Sequence, residues 1–585
     1  MTELSEGGGF LLQPTSAESV FTPEDFNEEH RMIARTVSRF VDEKILPVMD
    51  ELESQKEGLL GSLMREAGEL GILGAEVPSE YDGTELDKIC STIIAEEMGR
   101  AGSFAMAHGA QAGIGSLPIV FFGTDEQRRK YLPGLVSGEK IAAYALTEPG
   151  SGSDAMAAKT KAFLSPEGNC FVLNGTKQFI TNAGLADIFI VYAKLDDKIS
   201  AFIVDAHSEG LSTGLEEKKM GIKGSSTRCV FFDNVKVPVE NLLFEAGRGH
   251  IVAFNILNMG RYKLAANSIG HSKLALKISA AYANERVQFN VPIARFGLIK
   301  EKIAEMAMRT YAAESSVYRT GGLIEETLRD MDASGSEGRQ AVARAMEKYA
   351  IECSINKVFA TEAVAYVVDE GVQIHGGYGF ISEYPIERLY RDARIYRIFE
   401  GTNEINRILI PTMLVRRGLA GGLPLLEAAE KLALRLEGTE RLPLLENAEQ
   451  LVQAAKDLFL FTLGVGRKIC GDAILKRQEI LGRLADLAIG AFVMESALLR
   501  AQKAMEQNGE SGAARKMNMA DAFIYSHFPK LGLLAGEVLP ELAQGEELKM
   551  LQARLAEFLQ YRPINVIGLR NKIADQVLAA AEYIV

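Results

Sequence analysis

Between about Ile141 and Val239 the spacing of apolar residues departs from the three- and four-residue intervals found on either side and becomes short β-branched and aromatic runs. Cys170-Phe171-Val172-Leu173, Ile188-Phe189-Ile190-Val191, Ala201-Phe202-Ile203-Val204 and Val230-Phe231-Phe232 are such runs. Helices and strands repeat side chains every 3.6 and 2 residues, so an island of one period inside the other needs its own layer. The chain must fold as helical, β and helical portions in that order. Asn174-Gly175 predicts a hairpin turn inside the β portion. The reading places a helical domain over 24–140, with Met32, Val37, Phe40, Val41 and Ile45 on one face and Pro47 and Pro78 as breaks. The β domain covers 141–240, and helical periodicity returns over 241–417. The glycine-rich stretch Gly418-Leu419-Ala420-Gly421-Gly422 then introduces a leucine- and alanine-rich portion, 423–585, read as a separate helical domain.

Composition narrows the function classes. Apolar residues make up 47% and charged residues 24% of the 585, with no uninterrupted apolar run of about 18 residues to cross a bilayer. A net charge of -14 opposes non-specific nucleic-acid binding, which needs a basic footprint to displace counterions. Five cysteines without a CxxC pair fit a reduced compartment and no metal site. Met1-Thr2-Glu3-Leu4-Ser5-Glu6 is acidic where a transit peptide carries arginines and lacks a secretory signal's apolar core, so a bacterial-type cytoplasm is expected.

Four segments carry chemistry. In Ile398-Phe399-Glu400-Gly401-Thr402-Asn403-Glu404 one carboxylate stands between an aromatic residue and a glycine. Desolvation there raises its pKa toward that of a neutral-pH general base, and the glycine permits close ligand approach to the backbone; an ordinary acid at a helix start is the alternative. Tyr144-Ala145-Leu146-Thr147-Glu148-Pro149-Gly150-Ser151-Gly152-Ser153 offers amide and hydroxyl donors for a phosphate or ring edge, or is a plain connection. It is not a GxGxxG element, so a Rossmann reading has little support. Phe179-Ile180-Thr181 ends a strand-like run, and period-two alternation puts the ring and the hydroxyl on one side. Gln373-Ile374-His375-Gly376-Gly377 reads as a helix C-cap and turn, or as a ligand loop.

Taken together, in this order and spacing, the four segments resemble the acyl-CoA dehydrogenase family over about Glu24 to Arg417. The resemblance implies a mainly α fold with a β domain: an N-terminal α-helical domain, a middle β-barrel or sandwich domain and a C-terminal four-helix bundle, here with an appended helical domain. It implies FAD as cofactor and Glu400 as the base that removes the α-proton of an acyl-CoA thioester, while the β-hydrogen leaves as hydride. By the same resemblance Tyr144, Leu146, Thr147, Gly152, Ser153, Phe179, Ile180, Thr181, Thr402 and Glu404 contact the cofactor. Phe179 stands where the family usually has tryptophan, and the chain has no Trp. Arg286, Phe289 and Phe296, in what reads as a helical stretch, would reach the flavin diphosphate and adenosine. Gln373, Gly376 and Gly377 would come from a neighbouring subunit, which implies a homodimer. Ser153, Asn258, Arg261, Phe399 and Gly401 are the implied substrate contacts.

Some members carry the base at the position of Gly260; its absence there favours straight-chain substrates over the isovaleryl type. The small residues Ala105, Ala107, Gly109, Ala110, Ala112, Gly113 and Gly115 imply either a deep acyl slot or close helix packing. The appended portion, with Arg483-Leu484-Ala485-Asp486-Leu487-Ala488-Ile489, resembles the very-long-chain members, so a long-chain substrate is expected. Lys468, Lys476, Arg477 and Arg483 there read as a solvated helix face rather than a membrane contact. Electron-transfer flavoprotein is the implied acceptor; an oxidase and a non-catalytic acyl-CoA-binding scaffold are the other readings.

Overall fold

The computed structural model describes residues 7–435 and 442–585, so the acidic start at 1–6 lies outside the described residues. The first helical portion runs through Glu28–Phe40, Leu59–Glu69, Lys88–Met98, Ser103–Gly109 and Asp125–Ser137, closing on Val37, Phe40, Leu63, Met98 and Phe104. Side-chain caps set where its helices begin. Asn27 accepts from the His30 N–H at 2.8 Å, and Asp87 accepts from the Cys90 N–H at 2.6 Å. These caps bring His30, Asp87 and Cys90 within 4.8 Å of one another. Both His30 ring nitrogens are already committed there, one to the Asn27 N–H at 3.2 Å and one to Asp87 at 2.9 Å.

The β portion is one eight-stranded sheet, with β1 (Ala142–Ala145), β2 (Lys161–Leu164), β3 (Cys170–Thr181), β4 (Ile188–Leu195), β5 (Lys198–Asp205), β6 (Leu211–Thr213), β7 (Thr227–Pro238) and β8 (Leu242–Leu243). Its order is β6-β7-β3-β2-β4-β5-β8, with β1 parallel to β4. The end strands β6 and β8 do not pair with one another among the described residues, so of the expected barrel or sandwich the closed barrel is not formed. Asn174-Gly175 is also not a hairpin turn. Strand β3 runs straight through it, with a register shift between Leu173 and Gly175. A Cβ on Gly175 would lie 2.8 Å from the Thr160 Cα, so the glycine serves close backbone approach rather than reversal of the chain. A second shift, between Lys177 and Ile180, leaves Phe179 at φ 59° and 59% exposed. This bulge breaks the period-two alternation that would have put Phe179 and Thr181 on one side.

Long helices follow: Gly249–Glu285, Gly297–Leu328, Ala350–His375 and Asn403–Leu419. Arg286, Phe289 and Phe296 are not helical. Val287–Gln288 and Val291–Pro292 pair as a small antiparallel hairpin, and its two turn residues, Phe289 and Asn290, have φ 52° and 65°. Two successive positive φ values match the twist of a tight hairpin. The alternation that signals these strands is present in the sequence but spans only six residues.

The appended helices, including Ala448–Cys470, Gln478–Leu542 (kinked at Gly509) and Val566–Ala580, share one buried apolar core with the long helices. The segment before Glu28 straps the two together. Phe10 packs edge-on against Phe492 at 4.9 Å, and Glu24 accepts from Arg500 at 2.9 Å. None of the described helices is long and apolar enough to cross a membrane. Arg477 and Arg483 are paired with Glu479 and Glu537 at 2.9 and 3.0 Å, which reduces their charge toward any surface.

Candidate active site

Glu400 and Gly401 form a turn just before the Asn403–Leu419 helix, both left-handed at φ 56° and 80°. For glutamate that conformation costs roughly 1 kcal/mol or more, so the surroundings must enforce it. Two buried cations do so. Arg261 Nε donates to the Glu400 carbonyl at 3.1 Å, and Lys357 Nζ donates to the Gly401 carbonyl at 2.7 Å. Asn406 Nδ2 adds a second donor to the Gly401 carbonyl at 2.8 Å. Asn258 in turn accepts from Arg261 at 2.8 Å. Thr402, also read as a cofactor contact, caps the following helix by accepting from the Ile405 N–H at 3.2 Å. Thr402→Ala is expected to lower stability by about 1 kcal/mol, read as a denaturation midpoint shift.

The cations hold the turn's carbonyls and leave the carboxylate free. Glu400 Oε2 is buried and has no hydrogen-bond partner, and the Glu400 N–H donates to no acceptor among the described residues. Burial raises the Glu400 pKa to about 7, against the opposing pull of Arg261 and Lys357. Burial also pushes Lys357 down to about 7. The carboxylate lies over Gly260: a Cβ there would sit 2.6 Å from Glu400 Cδ. The two positions from which family members offer a base thus converge on one spot. Phe399 stacks on Tyr396 at 5.7 Å beside it.

Tyr144 faces the same space. Its buried hydroxyl has no hydrogen-bond partner, its ring packs on Tyr192 at 5.1 Å, and the Glu400 charge is among the influences that raise its pKa. The loop after it is pinned to β3. Lys177, fully buried, donates to Glu148 at 2.8 Å and to the Leu146 carbonyl at 3.0 Å, while the Gln178 N–H donates to the Thr147 carbonyl at 2.9 Å. Thr147 therefore lies next to the Phe179 bulge, and Ile180 is buried beneath with Thr181 half-buried. Gly152 and Ser153 are exposed at the loop's tip.

The remaining predicted contacts gather elsewhere. Arg286, Gly376 and Gly377 line a groove of about 580 Å³ with Tyr282, His375 and Tyr378. Arg286 lies over the Tyr378 ring at 5.4 Å, and Phe289 meets Phe296 edge-on at 6.0 Å. Gln373 and Glu404 are exposed. Arg261 and Arg286 are 25 positions apart on and at the end of one continuous helix, which separates the two groups by roughly 37 Å along its axis.

Sequence reasoning missed Lys357, Asn406 and Tyr192. Lys357 had a signal, being a lone cation in the apolar helical run from Ile351 to Val364. Tyr192 had none, since its β4 neighbours give no reason to single out one ring.

Profiles of known families match four stretches: acyl-CoA dehydrogenase N-terminal domain at 27–139, middle domain at 143–235, C-terminal domain at 247–414, and a further acyl-CoA dehydrogenase C-terminal domain at 454–556. The chain belongs to the acyl-CoA dehydrogenase family. A probable acyl-CoA dehydrogenase of Bacillus subtilis is 50% identical over 100% of this chain and 99% of its own length. The human mitochondrial very long-chain specific acyl-CoA dehydrogenase is 37% identical over 87% of this chain and 80% of its own. A crystal structure of an acyl-CoA dehydrogenase complexed with FAD from Bacillus anthracis superposes with a TM-score of 0.97 at 50% identity, covering 99% and 100% of the two chains. The appended helices of this acyl-CoA dehydrogenase family member thus fall within those matches, not outside them.

Proposed function

We propose that this chain is an FAD-dependent dehydrogenase that converts long straight-chain acyl-CoA to the trans-2-enoyl-CoA, with Glu400 as the base. The observation that carries the reading is the Glu400 carboxylate, its Oε2 buried and without a hydrogen-bond partner and its pKa raised to about 7. A group with that pKa is deprotonated enough near neutrality to accept a proton and basic enough to pull one. Its own free N–H is a donor for a thioester oxygen whose negative charge grows as the α-proton departs. The stacked Phe399 and Tyr396 rings help keep water from the carboxylate.

The residues present fit the cofactor. The exposed Phe179 ring offers an apolar face beside the Thr147 loop, the buried Tyr144 hydroxyl lacks a partner, and Gly376 and Gly377 have no atom within 4 Å of an added Cβ. Bound FAD supplies the acceptor for the β-hydrogen as hydride. Arg261, beside Glu400, and Arg286, in the Gly376 groove, stand roughly 37 Å apart along one helix, a span that disfavours one cofactor serving both within one protomer. It supports a homodimer in which each cofactor touches both copies.

The small-residue stretch divides by use. Gly115 is a packing glycine, since its Cβ would meet the Ala142 Cβ at 2.7 Å, whereas buried Gly113 has nothing within 4 Å. Open space beside a buried glycine supports a deep acyl slot. Electron-transfer flavoprotein is the proposed acceptor, in keeping with the family.

Anaerobic addition of acyl-CoA from C4 to C20 to the flavin-loaded protein tests the assignment. Bleaching of the flavin band is expected to be fastest at C14–C18, and no bleaching at any length refutes dehydrogenation. Fastest bleaching at C4–C6 refutes the long slot alone. Rapid reoxidation by oxygen with peroxide formed would instead indicate an oxidase.

A further inference from the structure

We propose that Asp486, on the appended Gln478–Leu542 helix, is a positioning residue for the base-bearing turn and acts through Arg407, Glu362, Asn403 and Lys357. The inference rests on the reading of Glu400 as the base. Each link is a direct contact. Arg407 Nε donates to Asp486 at 2.7 Å, while its two terminal nitrogens grip Glu362 at 2.7 and 2.9 Å. Glu362 accepts from Asn403 Nδ2 at 3.0 Å. Asn403 Oδ1 accepts from Lys357 Nζ at 2.7 Å, and the same amine holds the Gly401 carbonyl.

Chemistry fixes the direction of every link. An amide between a carboxylate and an ammonium satisfies both only with its nitrogen toward the first and its oxygen toward the second. Asn403 is placed that way, at the first position of its helix, one turn before Arg407. The charges alternate along the line: carboxylate, guanidinium, carboxylate, amide, ammonium. Asp486 shares the guanidinium with Glu362; without it Arg407 loses the acceptor at Nε and its rotation is no longer fixed. Glu362 then loses its fixed bidentate partner, and Asn403 is left with the neutral Thr361 hydroxyl, 3.2 Å from its Nδ2, as its one fixed acceptor. Because the Lys357 side chain is fully buried, with its remaining bond on the Gly401 carbonyl, the slack appears at the left-handed turn beneath Glu400. The appended helices thereby touch the chemistry from outside the substrate slot. This gives Asp486, in the stretch Arg483-Leu484-Ala485-Asp486, a role besides packing.

The test is the rate of anaerobic flavin reduction in the full-length holoenzyme, with whichever acyl-CoA reduces it fastest. Asp486→Asn is isosteric and replaces the charge-assisted acceptor at Arg407 Nε with a neutral amide oxygen; this weakened hold on the guanidinium is expected to slow reduction roughly three- to thirtyfold without changing the half-saturating substrate concentration. Lys357→Met is expected to be slower still, and the double variant no slower than Lys357→Met alone, because both act on one line of contacts. Arg407→Lys keeps the charge, loses the fork and is expected to match Asp486→Asn. Arg483→Ala, which breaks the neighbouring pair with Glu537, is expected to keep the parental rate. Parental rates in both Asp486→Asn and Arg407→Lys, or effects of Asp486→Asn and Lys357→Met that multiply, overturn the proposal. Glu400→Gln run in parallel separates the two readings: if it reduces flavin normally the base assignment fails, whereas its loss alongside parental Asp486→Asn and Arg407→Lys fails only the relay.

Discussion

Glu400→Gln is expected to lower the rate of flavin reduction by acyl-CoA about 10²- to 10⁴-fold while flavin content and acyl-CoA binding stay at parental levels. The substitution keeps shape and removes the group whose Oε2 has no other partner. In the parent the rate is expected to rise with pH through about 7, because the carboxylate is the active form and is protonated below that value. The same shift predicts a stability effect of opposite sense. The unfolded chain ionises this residue above about 4.5, the folded chain only above about 7, so stability falls as pH rises between these values. Glutamine carries no such penalty. The variant is expected to match the parent at pH 4 and to exceed it by up to about 3 kcal/mol at pH 8, measured by denaturant titration at both. Normal turnover would place the base elsewhere; lower stability at pH 8 would mean the carboxylate is not held out of water.

Gly260→Ala is expected to cut flavin reduction by about 10² while leaving the fold intact, because a displacement of about 1 Å at a reacting group is enough for such a loss. An added Cβ would fall 2.6 Å from Glu400 Cδ and 3.0 Å from its Oε1. The obstructed atoms are the far end of a flexible side chain, so the carboxylate swings aside and the helix is undisturbed. Alanine inside a helix is itself favourable by about 0.5–1 kcal/mol over glycine, so melting temperature is expected to hold or rise as activity falls. Parental rates in this variant would show that the carboxylate works from another position.

The candidate base was legible only from the four segments taken together, because Phe399-Glu400-Gly401 by itself fits an ordinary acid at a helix start equally well. The order of helical and β portions was legible for a similar reason, since each period persists over many residues. Asn174-Gly175 misled because a glycine demanded by close approach to Thr160 looks, in sequence, like one demanded by a turn. The bulge at Phe179 carries no local mark, since a register shift depends on what the partner strand β7 offers. Lys357 was overlooked because a buried cation is recognisable only by its acceptors, and these come from the turn 44 positions away and from Asn403.

The roughly 37 Å along one helix between Arg261, at the base-bearing turn, and Arg286, in the Gly376 groove, set a stoichiometric condition on this enzyme. If each cofactor is shared between two copies, losing a partner and losing flavin are the same equilibrium seen from two sides. Flavin added to apoprotein then draws protomers together, and dilution of the holoenzyme sheds colour and mass in step, by reciprocity of linked binding. The cell's supply of flavin would in that case regulate not only how much of this protein is active but how much of it is assembled.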